Sequence, residues 1–432
     1  MSTASTTDGA RQRPRLVVVY SFGSATATQI LAASRGLCEV VFLADRSEPH
    51  VAEQFPLMRD VARVIDITGY DDARVVREVT AESPDGITTF SDTKVELAAR
   101  LSRACELVGH RESTVRVVTD KLWQRRRLAS AGVDATRFAA ITHPADVPAA
   151  AAGVGFPAVL KPRRGTGARN TQLVAGADEC ASTVKALHGM EPHGLLLEEA
   201  LIGIGTRDGV HADCVSVESI VQGGHITTLY VSGRFPMAEP MRETGMIVPA
   251  DLPPAVTAPI IQLEQSALRA LGIEDGLCHT EFKLTADGPR LIEVNARLGG
   301  PVGHLTKLAL GFDVIRMGLD VALGHPVAVP QPKWRGVAFN HSVLPPPGVS
   351  RVATLEPLAE LRELPGVVFC NERVGVGDRV DSRRGDLGTL ATIVGLAESH
   401  ADLASIPATV KRAGERMCPS TVAADHPTGS TL

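Results

Sequence analysis

The sequence predicts an α/β protein in three parts: an open, Rossmann-like parallel-sheet domain over 16–118, a middle α+β region over 119–328 and a small α+β unit over 329–420. Three observations carry this. Apolar strand-like runs alternate with helical patterns through the first hundred or so residues, as in parallel sheets built from βαβ units. Near position 290, two alternating runs joined by a short turn read as a hairpin with one charged face. Beyond position 330, the Pro347-Gly348 and Pro365-Gly366 turns separate short β-branched runs.

The first strand is Leu16-Val17-Val18-Val19-Tyr20, followed by the turn Ser21-Phe22-Gly23-Ser24-Ala25-Thr26 and a helix through Ala33. That turn is not G-x-G-x-x-G, so no dinucleotide site is read there. It suits either a substrate loop at the carboxyl end of a strand or a tight structural turn. Val40 to Asp45, Val61 to Asp66 and Gly86 to Phe90 are the next strands, and a helix follows from about Thr93 to Leu107. The polar ends, 1–15 and 421–432, read as disordered tails.

Composition narrows the function classes. The chain has 432 residues, 44% hydrophobic and 22% charged, which fits a soluble globular protein with a large core. A net charge of −5 offers no basic footprint for nucleic acid. No apolar run reaches the roughly 18 residues of a membrane span. The seven cysteines are scattered and odd in number, so free thiols in a cytoplasmic protein are the expectation.

In the middle region, Asp120-Lys121 opens a helix closed by Gly132. The strand Phe156 to Pro162 carries Lys161 into the loop Arg163-Arg164-Gly165-Thr166-Gly167-Ala168-Arg169-Asn170. Glycines let backbone N–H groups approach phosphate oxygens, and guanidiniums screen their charge. A mobile basic surface loop is the equal alternative. The strand Gly194 to Glu199 leads to Ala200-Leu201, whose backbone suits a purine edge, with Glu198 placed to accept from an exocyclic amine. Glu218 and Asp213 are read as facing the same pocket.

The hairpin is the most informative stretch. In Leu291-Ile292-Glu293-Val294-Asn295-Ala296-Arg297-Leu298-Gly299-Gly300, period-two alternation puts Glu293, Asn295 and Arg297 on one face and Ile292 and Val294 on the other. Upstream, Glu281 and Lys283 share a face, with Phe282 and Leu284 opposite. Oxygen ligands gathered beside cationic side chains suit Mg²⁺ with polyphosphate. Arg242, in a Gly/Pro-rich segment, is a candidate for a substrate carboxylate, and Glu243 for a substrate amino group. A solvated loop pair is the other reading. His304, one turn past Gly300, either lines the site or is a capped or core histidine.

Taken in order, the Asp120-Lys121 helix, the Lys161 strand with its glycine loop, the Leu197-Glu198-Glu199 hinge and the Glu281…Glu293-x-Asn295-x-Arg297 hairpin resemble the ATP-grasp superfamily over about 16–325. The Arg297-Leu298-Gly299-Gly300 ending, the stretch Met241 to Pro249 and the run from Gly336 resemble the L-amino acid ligases within it. The resemblance implies ATP sandwiched between two α+β subdomains, one a lid over about 136–205. It implies that Lys121, Lys161, Gly165, Thr166 and Gly167 meet the phosphates, and that Glu198, Glu199 and Leu201 hold the adenine. Glu281, Glu293 and Asn295 would carry Mg²⁺, with Mn²⁺ able to substitute. Arg297, Lys161, Gly299 and Gly300 would serve catalysis, and Arg242, Glu243, Arg297 and His304 the substrate. The implied activity is ATP-dependent carboxylate–amine ligation through an acyl phosphate on amino acid or peptide substrates, by a homodimer. A purine-pathway or carboxylase-type enzyme activating formate or bicarbonate is the alternative, and a non-catalytic nucleotide-binding protein the third. Relatives often carry His where this chain has Met246, so the substrates are not read from the resemblance.

Overall fold

The computed structural model describes residues 13–239 and 241–419. Residues 1–12 and 421–432 of the expected tails lie outside the described residues, and the first strand begins at Arg15. The opening segment comprises β1 (Arg15–Tyr20), α1 (Ala27–Ser34), β2 (Glu39–Ala44), α2 (Pro49–Val61), β3 (Arg63–Asp66), α3 (Asp72–Ala81), β4 (Gly86–Thr88) and α4 (Val95–Ala104). Its sheet has the order β3-β2-β1-β4, parallel throughout. Both faces of β1 are covered. Leu16 and Val18 join one apolar cluster while Val17 and Val19 join another. This explains why the run is continuously apolar rather than alternating. Val61, read from sequence as a strand residue, ends α2 instead. The Ser21–Thr26 turn is a tight one: Ser24 N–H donates to the Phe90 carbonyl at 2.8 Å. A Cβ on Gly23 would lie 2.1 Å from that same oxygen, so only glycine fits.

Helices α5 (Glu112–Val118) and α6 (Lys121–Ser130) lead into a second sheet. It contains β5 (Phe138–Ile141), β6 (Ala158–Pro162), β7 (Gln172–Val174) and β8 (Leu195–Glu199), with α7 (Val147–Val154) and α8 (Ala177–Leu187) between them. Its order is β5-β8-β6-β7, antiparallel, and Ile141, Leu160, Leu195 and Leu197 pack with residues of both helices.

The third sheet has eight antiparallel strands. It is made from β9 (Cys214–Gln222), β10 (His225–Arg234), β11 (Gly245–Val248), β12 (Gly276–Thr285), β13 (Gly288–Asn295), β14 (Val337–Val343), β15 (Val367–Glu372) and β16 (Ala391–Ala397). The order is β13-β12-β9-β10-β11-β14-β16-β15, so the C-terminal strands continue the sheet that begins with the hairpin. Helices α9 (Pro254–Leu271), α10 (Val302–Leu310), α11 (Val314–Ala322), α12 (Pro357–Arg362) and α13 (Ile406–Met417) pack on it. Val215, Val217, Phe282 and Val294 form a core with Ile260 and Leu268 of α9. Their alternation partners Ser216, Glu218, Glu281 and Asn295 therefore line the opposite face. Among the described residues no helix is long and apolar enough to cross a membrane.

One buried carboxyl departs from this division. Glu264 of α9 is fully buried. Burial, with the Glu218 charge adding to it, pushes its pKa up to about 7, against a hydrogen bond from Thr228. The folded state therefore keeps its proton where the unfolded chain has lost it, and stability falls as pH rises from about 4.5 through 7. Glu264→Gln should melt above the parent at pH 8, by on the order of 2–3 kcal/mol of stability. The gap should close near pH 4.5. A melting-temperature difference that does not change with pH contradicts this assignment.

Candidate active site

The hairpin β12–β13 sets Glu281 directly opposite Glu293, and His279 opposite Asn295. Like charges so placed repel at roughly 5 Å unless cations stand between them. Lys121 Nζ lies 2.9 Å from Glu293 Oε1, and His279 Nε2 lies 3.2 Å from Glu281 Oε1. A β-bulge falls between Glu281 and Phe282. It makes Ile292 the extra residue, returns Arg290 and Lys283 to the charged face and keeps Leu291 with Phe282 in the core. Ile292, expected in the core beside Val294, is thus only half-buried. Its carbonyl accepts from Arg125 Nη2 at 2.7 Å.

The charged face continues across β9 and β10. His279 Nδ1 donates to Glu218 Oε1 at 2.7 Å. Burial disfavours the imidazolium, but Glu218 and then Glu281 outweigh it and raise the His279 pKa to about 9. Burial likewise works against Glu281 ionising. Its hydrogen bond and charge interaction with His279, helped by Arg234 and Arg297, hold it well below the usual carboxylate range. Glu281 also pairs with Ser216, whose hydroxyl lies 2.7 Å from that of Ser232. Glu218 faces this network, and its Oε2 is buried without a partner. Asp213 is tied to Lys283 Nζ at 2.5 Å. Sequence reading missed His279 and Arg234. His279 was within reach, because it alternates with Glu281 and Lys283.

Several residues expected to meet the nucleotide gather beside this face. Lys121, just after the α6 cap Asp120, donates through Nζ to the Gly165 carbonyl at 3.0 Å. Gly165 and Gly167 adopt φ of 142° and 66°, and the Thr166 hydroxyl bonds to Asp92. The glycine loop is therefore anchored to the site rather than free on the surface. Glu198 needs correction. Its buried carboxylate already receives Arg125 Nε at 2.9 Å, Arg125 Nη2 at 3.1 Å and Lys161 Nζ at 2.8 Å. Burial opposes ionisation, yet Arg125 and Lys161 bring its pKa down to about 2. With about four acceptor positions on a carboxylate, little room remains for a purine amine. Glu199 turns its carboxylate to Arg137 Nε at 2.8 Å and Arg290 Nη2 at 3.2 Å, so it braces strands instead of offering a side chain to a nucleotide. Ala200 N–H still bonds to Pro157, and Leu201 is the first residue beyond that strand bond.

Arg297 is held by Asp92, Nε to Oδ1 at 2.8 Å and Nη2 to Oδ2 at 2.7 Å. Burial disfavours its charge, but Asp92, then Glu281 and Glu293, keep it protonated. Gly299 backs the imidazole: a Cβ there would sit 2.5 Å from His279 Nδ1, whereas Gly300 faces open space. Glu243 remains half-exposed at 3.6 Å from Arg234 Nε. Two substrate candidates are corrected. Arg242 is buried, with Nε on the Glu239 carbonyl at 2.7 Å and Nη1 on Pro345 at 2.9 Å, so it ties two loops together. His304 lies on the exposed side of α10, its ring 5.3 Å from that of Phe369, outside the charged network.

Among the described residues, no three His, Cys, Asp or Glu side chains form a metal-holding group. The candidate set is two facing carboxylates and an amide, a hard-oxygen set that suits Mg²⁺ shared with a phosphate ligand.

No family model matches the chain. It is 33% identical to carnosine synthase 1 of Homo sapiens over 202 residues, 44% of this chain and 24% of that protein. It is 22% identical to the L-arginine-specific L-amino acid ligase of Bacillus subtilis over 341 residues, 76% of this chain and 79% of that protein. The solved L-amino acid ligase from Bacillus licheniformis superimposes with a TM-score of 0.74 at 20% identity, covering 93% of this chain and 98% of that one. The chain spans about half or less of the length of the first curated relatives it matches.

The Glu198 hub gives a test of its own. Glu198→Ala leaves Lys161 a buried cation without its carboxylate and Arg125 with Asp134 as its one remaining acid, which costs about 3–5 kcal/mol. Chemical denaturation should show that loss, and an Ala variant within about 1 kcal/mol of the parent rules the hub out.

Proposed function

Starting from a chain with the ATP-grasp fold, we propose an ATP-dependent carboxylate–amine ligase that joins amino acid or peptide substrates through an acyl phosphate. One observation carries the reading. Glu281 and Glu293 face each other with Lys121 and Arg297 beside them, and Arg297 is held in place by Asp92. Cations and acids converging from distant segments suit a triphosphate whose terminal group is transferred. The names of the relatives, which include L-amino acid ligases, support amino acid substrates.

A carboxylate is a poor electrophile. In this reading its oxygen attacks the γ-phosphorus, the bond to the ADP oxygen breaks, and an acyl phosphate forms. An amine then attacks the carbonyl carbon, the carbon–oxygen bond to phosphate breaks, and the amine proton leaves with the phosphate. Glu281, Glu293 and Asn295 would hold Mg²⁺, which when bound neutralises phosphate charge. Arg297, oriented by Asp92, neutralises charge on the transferring group. Lys121 and Lys161 meet the phosphates, and the Gly165–Gly167 loop keeps water from the intermediate. Glu243, the half-exposed acid facing Arg234, is the better placed of the two original candidates for a substrate amino group. Near it, Met246 packs in the apolar core with its N–H on Asn340 Oδ1 at 3.0 Å.

ATP-dependent phosphate release should appear with particular pairs of amino acids, accompanied by a condensed product in mass spectrometry. Glu293→Ala should lose at least about 100-fold, since charge compensation worth several kcal/mol disappears. Stimulation by bicarbonate or formate, with silence across amino acids, would move the assignment to the carboxylase-type reading. Asp92→Asn should lower kcat about tenfold or more, because the charge that orients Arg297 is lost, while the remaining amide oxygen still accepts from Thr166 and keeps nucleotide affinity within about threefold. An unchanged kcat removes Asp92 from the mechanism.

A further inference from the structure

A second cleft lies away from the charged hairpin, between α4, α5 and the start of the glycine loop. It is a half-open cleft of about 480 Å³, and neither Lys121, Lys161, Glu281 nor Glu293 lines it. Its wall carries Arg100, Arg103, Arg116 and Arg164 against Glu96 and Glu112, a cationic surplus on a chain whose net charge is −5.

The polar atoms here are incompletely used. Among the described residues, the buried side-chain nitrogens without a hydrogen-bond partner include Arg100 Nε, Arg164 Nε and His110 Nδ1. All three residues line this cleft. Buried polar groups are ordinarily satisfied, so three orphans at one place call for a missing partner. Two of them are guanidinium donors: Arg100 Nε has no acceptor, and Arg164 Nε has only the Asp120 carboxylate at 4.0 Å, beyond hydrogen-bond reach. The third differs. Burial lowers the His110 pKa, and its bond to the Ala296 carbonyl engages the other ring nitrogen as donor. Nδ1 of that neutral ring is an acceptor and wants a donor.

The ion pairs that occupy the arginines are weak. Arg164 Nη1 reaches Glu96 at 3.0 Å with the Glu96 side chain 60% exposed, Arg103 reaches an 83% exposed Glu112 at 2.7 Å, and Arg100 holds a 75% exposed Asp72 through both of its terminal nitrogens. Exposed pairs of this kind contribute about 0–1 kcal/mol and exchange readily for a better anion. Arg116 lies over the Trp123 ring at 3.8 Å and adds its charge without a carboxylate of its own in the cleft.

We propose that this cleft binds a small hydroxylated polyanion, bearing two or more carboxylate or phosphate groups and one hydroxyl donor. The anionic groups take Arg100, Arg103, Arg116 and Arg164, and the hydroxyl donates to His110 Nδ1. Because Arg164 belongs to the loop whose Gly165 carbonyl rests on Lys121, an occupant that joins Arg164 to α4 steadies that loop over the nucleotide site. The site therefore acts as an effector site that tightens nucleotide binding. It is independent of which acid and amine the enzyme joins.

The test is titration calorimetry on the full chain with citrate, and separately with inorganic pyrophosphate, at fixed ionic strength in the presence of a chelator. Binding of citrate or of pyrophosphate identifies the carboxylate or phosphate form. Arg100→Gln/Arg103→Gln should weaken that binding about tenfold or more, since two charge-assisted contacts go. Anion binding should persist in the presence of saturating ADP, which separates this cleft from the phosphate site. Tricarballylate, which is citrate without its hydroxyl, should bind several-fold more weakly. ADP affinity should rise several-fold with the anion in the parent and stay constant in the double variant. The proposal fails if neither anion binds the parent, or if the double variant binds as the parent does. Equal affinity for citrate and tricarballylate removes His110, and an ADP affinity indifferent to the anion removes the effector role.

Discussion

Two carboxylates facing each other on neighbouring strands are the constraint around which this protein is arranged. Glu281 and Glu293 occupy one cross-strand pair, where like charges repel. The fold answers by bringing cations from elsewhere. Lys121 comes from the helix before the second sheet, His279 from the same strand, and Arg297 from the segment after the hairpin. Each cation is itself held: Lys121 on Gly165, His279 on Glu218, and Arg297 on Asp92 of the first domain. Removal of the acids would leave those positive groups crowded together, so acids and cations are mutually necessary.

A second hub fixes the elements on which the first depends. Arg125 is buried and joins Glu198 of β8, Asp134 and the carbonyls of Leu291 and Ile292 on β13. One guanidinium thus ties the small sheet to the bulged strand of the large one. Such a buried network gains its value from geometry and complete hydrogen bonding more than from net Coulomb energy. It also explains why Glu198, although in a strand that points toward the site, is committed to structure. Its carboxylate holds Lys161 through Nζ at 2.8 Å.

Much of this was legible residue by residue. Period-two alternation placed Glu281, Glu293 and Asn295 on one face before any coordinates, and the register confirms the pairing. The unbroken apolar run Leu16–Tyr20 reported a strand covered on both sides. Alternation failed where the chain departs from a regular strand. The bulge at Ile292 sends that side chain out of the core, and nothing in the local sequence announces an extra residue. Arg242 looked free in a Gly/Pro-rich loop, yet the carbonyls that satisfy it include Pro345, which lies 103 positions away.

The sequence by itself determined the pattern: which segments are strands, which faces carry charge, and that the charged faces suit a phosphate-bearing ligand. These are local properties, set by side-chain period and turn chemistry within about ten residues. Tertiary structure alone decided the partners. Asp92 meets Arg297 across 205 positions and Arg125 meets Glu198 across 73, and no local signal encodes such a contact. A charged side chain is assigned to structure or to chemistry by what neutralises it. That neighbour is chosen only when the sheets pack and water leaves the space between them.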